Sequence, residues 1–165
     1  MKPGKPGSTD KRLKLTDMED TRFMHCNIKT LNLLVNVMAA EKAEEAGCGE
    51  CVFHRGDIVT ECAHSNVSII KDGVFKTHPA AHYILPGITR MHLIQLCKDN
   101  GIPVDETPFT MQELMDADEV IVSSSTKFCA PACEMNGTPI GGKAPELVKL
   151  LQEKYIEKFE AETKG

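Results

Sequence analysis

Apolar and polar residues follow two different periods along this chain, and the switches between them mark its elements. From 30 to 46 the positions Leu31, Leu34, Val35, Met38, Ala39, Ala43 and Ala46 fall at helical spacing, and Gly47 supplies a left-handed stop. Short apolar runs then alternate with turns. Strands are predicted over 50–54, 58–61, 66–70 and 74–77, with turns at Arg55-Gly56-Asp57 and Lys71-Asp72-Gly73. A helical period returns over 87–99 through Met91, Ile94 and Leu96, ahead of Gly101. Residues 102–107 read as a strand, and Thr110 with Glu113 forms a capping box for a short helix through Met115. Strands follow over 119–123 and 130–135, and Asn136-Gly137 is the strongest hairpin signal in the chain. The last helix, about 144–160, carries Leu147, Leu150, Leu151, Ile156 and Phe159 on one stripe. Runs of strands with helices between and after them give an α+β, mixed α/β class.

The first 19 residues, rich in Lys, Pro, Gly, Ser and Thr at their start, read as a flexible leader or linker. A single core domain is expected over 20–160, with 161–165 as a tail. Composition narrows the function. A net charge of −5, no Trp and eight Phe and Tyr together disfavour a nucleic-acid binder, which needs a basic face with stacking residues. No apolar run approaches the ~20 residues of a membrane span, and no apolar segment follows the basic N-terminus as a secretory signal would require. A cytoplasmic protein is therefore expected. Seven cysteines then imply free thiols rather than a disulfide framework. Cys48 with Cys51, and Cys129 with Cys133, could form two knuckles of a zinc site. The second spacing is one residue too long and lies in an apolar stretch, so small buried thiols are the alternative, and no metal site is expected.

Four segments carry candidate chemistry. Lys29, in Asn27-Ile28-Lys29-Thr30-Leu31-Asn32-Leu33-Leu34, precedes an apolar helix, where the helix dipole disfavours a cation. Glu61 ends a strand before the small-residue turn Cys62-Ala63-His64-Ser65. Leu85-Pro86-Gly87-Ile88-Thr89 leads into a helix whose first N–H groups, with the Thr89 hydroxyl, can hold an anion. Ser123-Ser124-Ser125-Thr126 places four hydroxyls in a row after a strand. Each has an ordinary structural alternative: a surface lysine, a hairpin carboxylate, a simple turn, a self-bonded polar loop. Together they supply an amine, a carboxylate and two anion-binding turns, which suits a cofactor with an aldehyde, a basic ring nitrogen and a phosphate. Pyridoxal 5'-phosphate has that chemistry.

The stretches CNIKTLNLL, VTECAHSNVSIIKDG, THPAAHYILPGITR and DADEVIVSSST, in this order, resemble the C-terminal cofactor domain of D-amino-acid aminotransferases. These are fold-type IV pyridoxal-phosphate enzymes, related to branched-chain aminotransferases and aminodeoxychorismate lyase. The resemblance runs from about 20 to about 155 and implies a strand pseudo-barrel flanked by helices. It implies that Lys29 is the lysine joined to the cofactor aldehyde and the carrier of the substrate α-proton. Glu61 would keep the pyridine nitrogen protonated, and Leu85 would pack on the ring. Ile88, Thr89, Ser124 and Ser125 would hold the phosphate. A lysine in this role needs partial desolvation to be a neutral nucleophile near pH 7. The substrates would be D-amino acids and 2-oxo acids, as in D-alanine:2-oxoglutarate transamination, in a cytoplasmic homodimer.

This chain departs from the family pattern at Asn27, where Asp is common, and at Cys62-Ala63-His64, where a Gly and small hydroxyl residues are common. His64 would narrow the pocket or touch the substrate. The smaller N-terminal domain of the family, which supplies the substrate-carboxylate contacts, is absent from the sequence, so the domain alone is expected to be inactive. The alternatives are an aminodeoxychorismate lyase or branched-chain aminotransferase relative, and a non-catalytic cofactor-binding or dimerisation module.

Overall fold

The computed structural model describes residues 12–163. Its centre is one curled sheet of nine strands. They are β1 (Leu13–Glu19), β2 (Glu50–Arg55), β3 (Ile58–Cys62), β4 (Asn66–Lys71), β5 (Val74–Thr77), β6 (Val104–Asp105), β7 (Glu119–Ser123), β8 (Ala130–Met135) and β9 (Thr138–Pro139). The order across the sheet is β3-β2-β1-β8-β7-β4-β5-β6, with β9 hairpinned onto β8. Four helices pack around it: α1 (Leu34–Glu45), α2 (Ile88–Asp99), α3 (Met111–Asp116) and α4 (Pro145–Thr163). The α+β expectation holds.

The curl brings residues from six strands into one inner cluster that includes Leu15, Val52, Val59, Val67, Val120 and Met135, closed by Phe109 and Leu114. The chain returning from β6 crosses to the opposite edge, where Val59 donates to the Phe109 carbonyl at 2.9 Å and Met111 to that of Asp57 at 2.8 Å. Both sheet edges are thereby linked through 105–111, which makes the pseudo-barrel. On the outside, α2 and α4 cover a second cluster around Phe75, Leu93, Ile121 and Leu151. Helix α1 lays Ala39 and Ala43 on Cys51 and Phe53.

The turns follow their local chemistry. Asp72-Gly73 and Asn136-Gly137 both adopt positive φ, at 49° and 76° and at 48° and 80°, as tight hairpin turns require. Thr110 and Glu113 make the capping box in both directions.

Three expectations need correction. Residues 1–11 of the expected leader lie outside the described residues, but 13–19 is not a linker. It is β1, an interior strand parallel to both β2 and β8, with Leu15 wholly buried. A strand paired on both sides takes its order from ladder hydrogen bonds with partners up to 120 residues away, which local composition does not announce. At the other end, helix α4 continues to Thr163, so 161–163 is not a separate tail, while 164–165 lies outside the described residues. Finally, only part of the stripe expected to bury the first helix does so: Ala39 and Ala43 face the sheet with Val35 beside them, while its large residues Leu31, Leu34 and Met38 point outward. Leu31 is 97% exposed and Leu34 70%, whereas Asn36, Ala39 and Ala43 face the sheet. Small side chains let α1 approach closely, and the Asn36 amide donates to the Ala63 carbonyl at 2.8 Å.

The four candidate zinc cysteines do not converge. Cys51 belongs to the core under α1 and Cys129 to the core under α2 and α4, on different parts of the sheet. Among the described residues no group of three or more His, Cys, Asp or Glu side chains is placed to hold a metal.

Candidate active site

The C-terminal ends of β3 and β7, the turn before α2 and the loop before α1 open onto one cleft of about 620 Å³. Lys29, Glu61, Leu85, Ile88, Thr89, Ser124 and Ser125 all line it. Residues far apart in sequence meet there because β4 carries Asn66 opposite Ser123 of β7, while Glu61, next to last in β3, accepts from that Asn66.

Glu61 is the most constrained of these. It is 5% exposed. Its Oε1 accepts from Arg22 Nη1 at 2.6 Å, and its Oε2 from the Asn66 amide and the Leu85 N–H, both at 3.0 Å. Asn66 also donates to the Leu85 carbonyl at 2.9 Å, so the backbone of Leu85 is held from both sides. Burial pushes the Glu61 carboxyl up to about 7, while the Arg22 guanidinium and the Leu85 N–H pull it down.

Arg22 went unnoticed in the sequence. It lines the cleft and stacks on the Phe53 ring, with its guanidinium carbon 4.4 Å from the centroid. It pairs Asp20 through Nε and Nη2, each at 2.9 Å, as well as Glu61. Asp20 in turn accepts from Arg55 at 3.3 Å and the Thr60 hydroxyl at 3.0 Å. Burial works against the Asp20 carboxylate, but Arg22 and Arg55 hold it below its ordinary range. No local signal marks Arg22, because its partners come from three separate strands and loops.

Gly87 is the N-cap of α2, and no side chain caps that turn. The first N–H groups, from Ile88 onward, therefore have no intrahelical acceptor. Gly87 is required for a spatial reason: a Cβ there would lie within van der Waals overlap of Asn66 Oδ1, at 2.2 Å. Thr89 is buried and Ile88 is 68% exposed. Ser124 and Ser125, which also line the cleft, follow Ser123, whose buried hydroxyl has no hydrogen-bond partner. An uncapped helix start and an unpaired buried hydroxyl in one cleft, both next to Asn66, fit an anion.

Lys29 is placed differently from the expectation. Helix α1 begins only at Leu34, so Lys29 sits in the preceding loop, exposed at the cleft wall. That loop is anchored by the Cys26 N–H on the His82 carbonyl at 2.7 Å. His64 also lines the cleft and is exposed, on the β3–β4 turn.

Residues 2–135 match the family described as class IV amino-transferases. The chain belongs to that family. Among its relatives, the D-alanine aminotransferase of Listeria monocytogenes is 46% identical over 142 residues, covering 86% of this chain and 49% of the relative. That of Staphylococcus haemolyticus is 47% identical over 144 residues, covering 85% and 51%. This class IV chain thus spans about half the length of the curated relatives it matches. The branched-chain amino acid aminotransferase of Escherichia coli superposes with a TM-score of 0.77 at 25% identity, over 88% of this chain and 51% of that one. The resemblance read from the four motifs is borne out. The fold-type IV architecture agrees as well: a fold IV transaminase from Curtobacterium pusillum superposes with a TM-score of 0.84 at 19% identity, over 97% and 57%.

Proposed function

We propose that this chain is the cofactor-binding part of a D-amino-acid aminotransferase of the D-alanine:2-oxoglutarate type, using pyridoxal phosphate. The observation that carries this reading is the meeting, in one cleft, of an amine, a buried carboxylate fixed by three donors, and two anion-facing turns. The residues fit the cofactor at each end. The Ser123 hydroxyl lacks a partner, the start of α2 is uncapped, and Glu61 is buried in the same cleft.

Pyridoxal phosphate, when bound, supplies an electron sink for the substrate α-carbon and carries the amino group between amino acid and oxo acid. The chain's own residues do the rest. Lys29 would hold the cofactor at its aldehyde end through its amine and would move the proton at the substrate α-carbon. Glu61 holds a proton at the pyridine nitrogen by a charge-assisted hydrogen bond. Arg22 keeps Glu61 in place and biases it toward the carboxylate. Leu85, clamped through its backbone, offers its side chain to the ring face. Thr89, the Ile88 N–H, Ser124 and Ser125 would hold the phosphate. His64 bounds the substrate side. Exposed Leu31 and Leu34 beside the cleft are the surface a second subunit would cover in the homodimer.

The deciding experiment is incubation with pyridoxal phosphate, borohydride reduction and peptide mapping. A single adduct on Lys29, lost in Lys29→Ala, is the expected result. Adducts spread over surface lysines, and unchanged in Lys29→Ala, would overturn the assignment.

A further inference from the structure

Glu50 is a buried carboxylate with none of the roles above, and it ties two walls of the cleft together. It opens β2, and its side chain is 2% exposed. Its Oε2 accepts from the Ser65 hydroxyl at 2.8 Å and from Lys127 Nζ at 2.8 Å, while Oε1 faces the Cys51 N–H at 3.4 Å. Ser65 belongs to the β3–β4 turn and lines the cleft. Lys127 belongs to the β7–β8 loop that carries Ser124 and Ser125.

Lys127 is held at both of its ends. Its ammonium also donates to the Gly49 carbonyl at 2.9 Å, and its backbone N–H donates to Ser124 Oγ at 3.1 Å. The loop needs this hold. Phe128 sits at φ 40°, in the left-handed region that costs free energy for a bulky residue, and its N–H closes the turn on the Ser124 carbonyl at 2.9 Å. On the far side its ring packs on Tyr155, centroid to centroid 5.2 Å. The hydroxyl loop is thus strained at Phe128 and strapped at Lys127.

We propose that Glu50 is a positioning residue for the phosphate end of the cleft. Through Lys127 it fixes the loop bearing Ser124 and Ser125, and through Ser65 it locks that loop to the turn behind Glu61. Lys127 acts as a strut, its charge neutralised by Glu50, and not as a ligand of the phosphate. The inference rests on the reading of the cleft as a pyridoxal-phosphate site.

The test compares titrations of the 165-residue chain with pyridoxal phosphate and with pyridoxal, which lacks the phosphate. The wild-type chain is expected to prefer the phosphorylated form. Loss of one charge-assisted hydrogen-bonded strap should weaken pyridoxal phosphate about tenfold in Glu50→Gln, with pyridoxal unchanged within about twofold. The double variant Glu50→Gln/Lys127→Met removes both charges, avoids an unpaired buried ion, and should show the same selective loss. Lys127→Arg, which can still reach Glu50, should keep the preference. An unchanged preference in Glu50→Gln, an equal loss for both ligands, or tighter phosphate binding once Lys127 is freed would each overturn the strut. A wild-type chain that binds both forms alike would instead overturn the phosphate reading on which it stands.

Discussion

Arg22 Nη1 donates to Glu61 Oε1 at 2.6 Å, although 39 residues separate the two in the chain. The contact is buried, and Arg22 shares its guanidinium with Asp20 on the other side. One cation thus bridges two buried carboxylates, and it lines the same cleft as Glu61.

Removing that cation should be costly. Arg22→Met leaves Glu61 buried beside Asp20 without its counter-charge, and breaking a buried pair this way costs about 3–5 kcal/mol. Urea denaturation should record that loss. The double variant Arg22→Met/Glu61→Gln should regain part of it, since a neutral amide needs no counter-charge. Equal stability of the single and double variants would mean that the two side chains are not coupled.

The pH dependence carries the signature of Glu61. Its folded value is raised from the ordinary 4.5 to about 7 by burial. Between these values the folded chain holds a proton that the unfolded chain releases, so this group's contribution to stability falls as pH rises through that window. The slope reaches at most ~1.4 kcal/mol per pH unit. Buried His78, lowered from 6.5 by desolvation, acts with the opposite sign, losing stability as pH falls, but it is common to both proteins in the comparison. Asp20, held low by its arginines, loses its contribution only at lower pH. The wild-type chain should therefore lose stability relative to Glu61→Gln as pH rises from 5 to 7.5. Parallel stability curves would show that Glu61 does not titrate in this range.

Helix α3 should depend on its cap. Thr110 Oγ1 accepts from the Glu113 N–H at 3.1 Å, and Glu113 returns to the Thr110 N–H at 2.8 Å. Thr110→Ala should cost about 1 kcal/mol, or about 2–4 °C in Tm, and Thr110→Ser should restore most of it. The same segment bridges the barrel edge at Ile58, so a larger loss would mean that the cap also holds the closure.

The thiols should divide by burial. Cys97 and Cys129 are pushed up to about 12 by desolvation, and Cys51 to about 11, whereas Cys48 and Cys133 are only half-buried. Iodoacetamide at pH 8 should alkylate Cys48 and Cys133 first, because the thiolate is the reactive form and access limits the others. Mass spectrometry of early time points checks this. Early modification of Cys129 would mean that the α4 face opens.

What the sequence determined by itself is local. The capping box at Thr110, the turns at Asp72-Gly73 and Asn136-Gly137, and strands such as Glu119–Ser123 follow from residues within a few positions of one another. The four motifs also carried enough specific residues to indicate the family and the seven cleft residues. Tertiary structure decided the rest, because the interactions responsible are long-range. Strand β1 has an ordinary composition and is made a strand by parallel partners on both sides. Helix α1 turns Leu34 and Met38 outward, since alanines and Asn36 fit closer to the sheet than longer side chains can. No local signal marks Arg22 or Glu50 along the chain. They became the supports of the cleft only when folding removed them from water, where a charge persists only beside its partners.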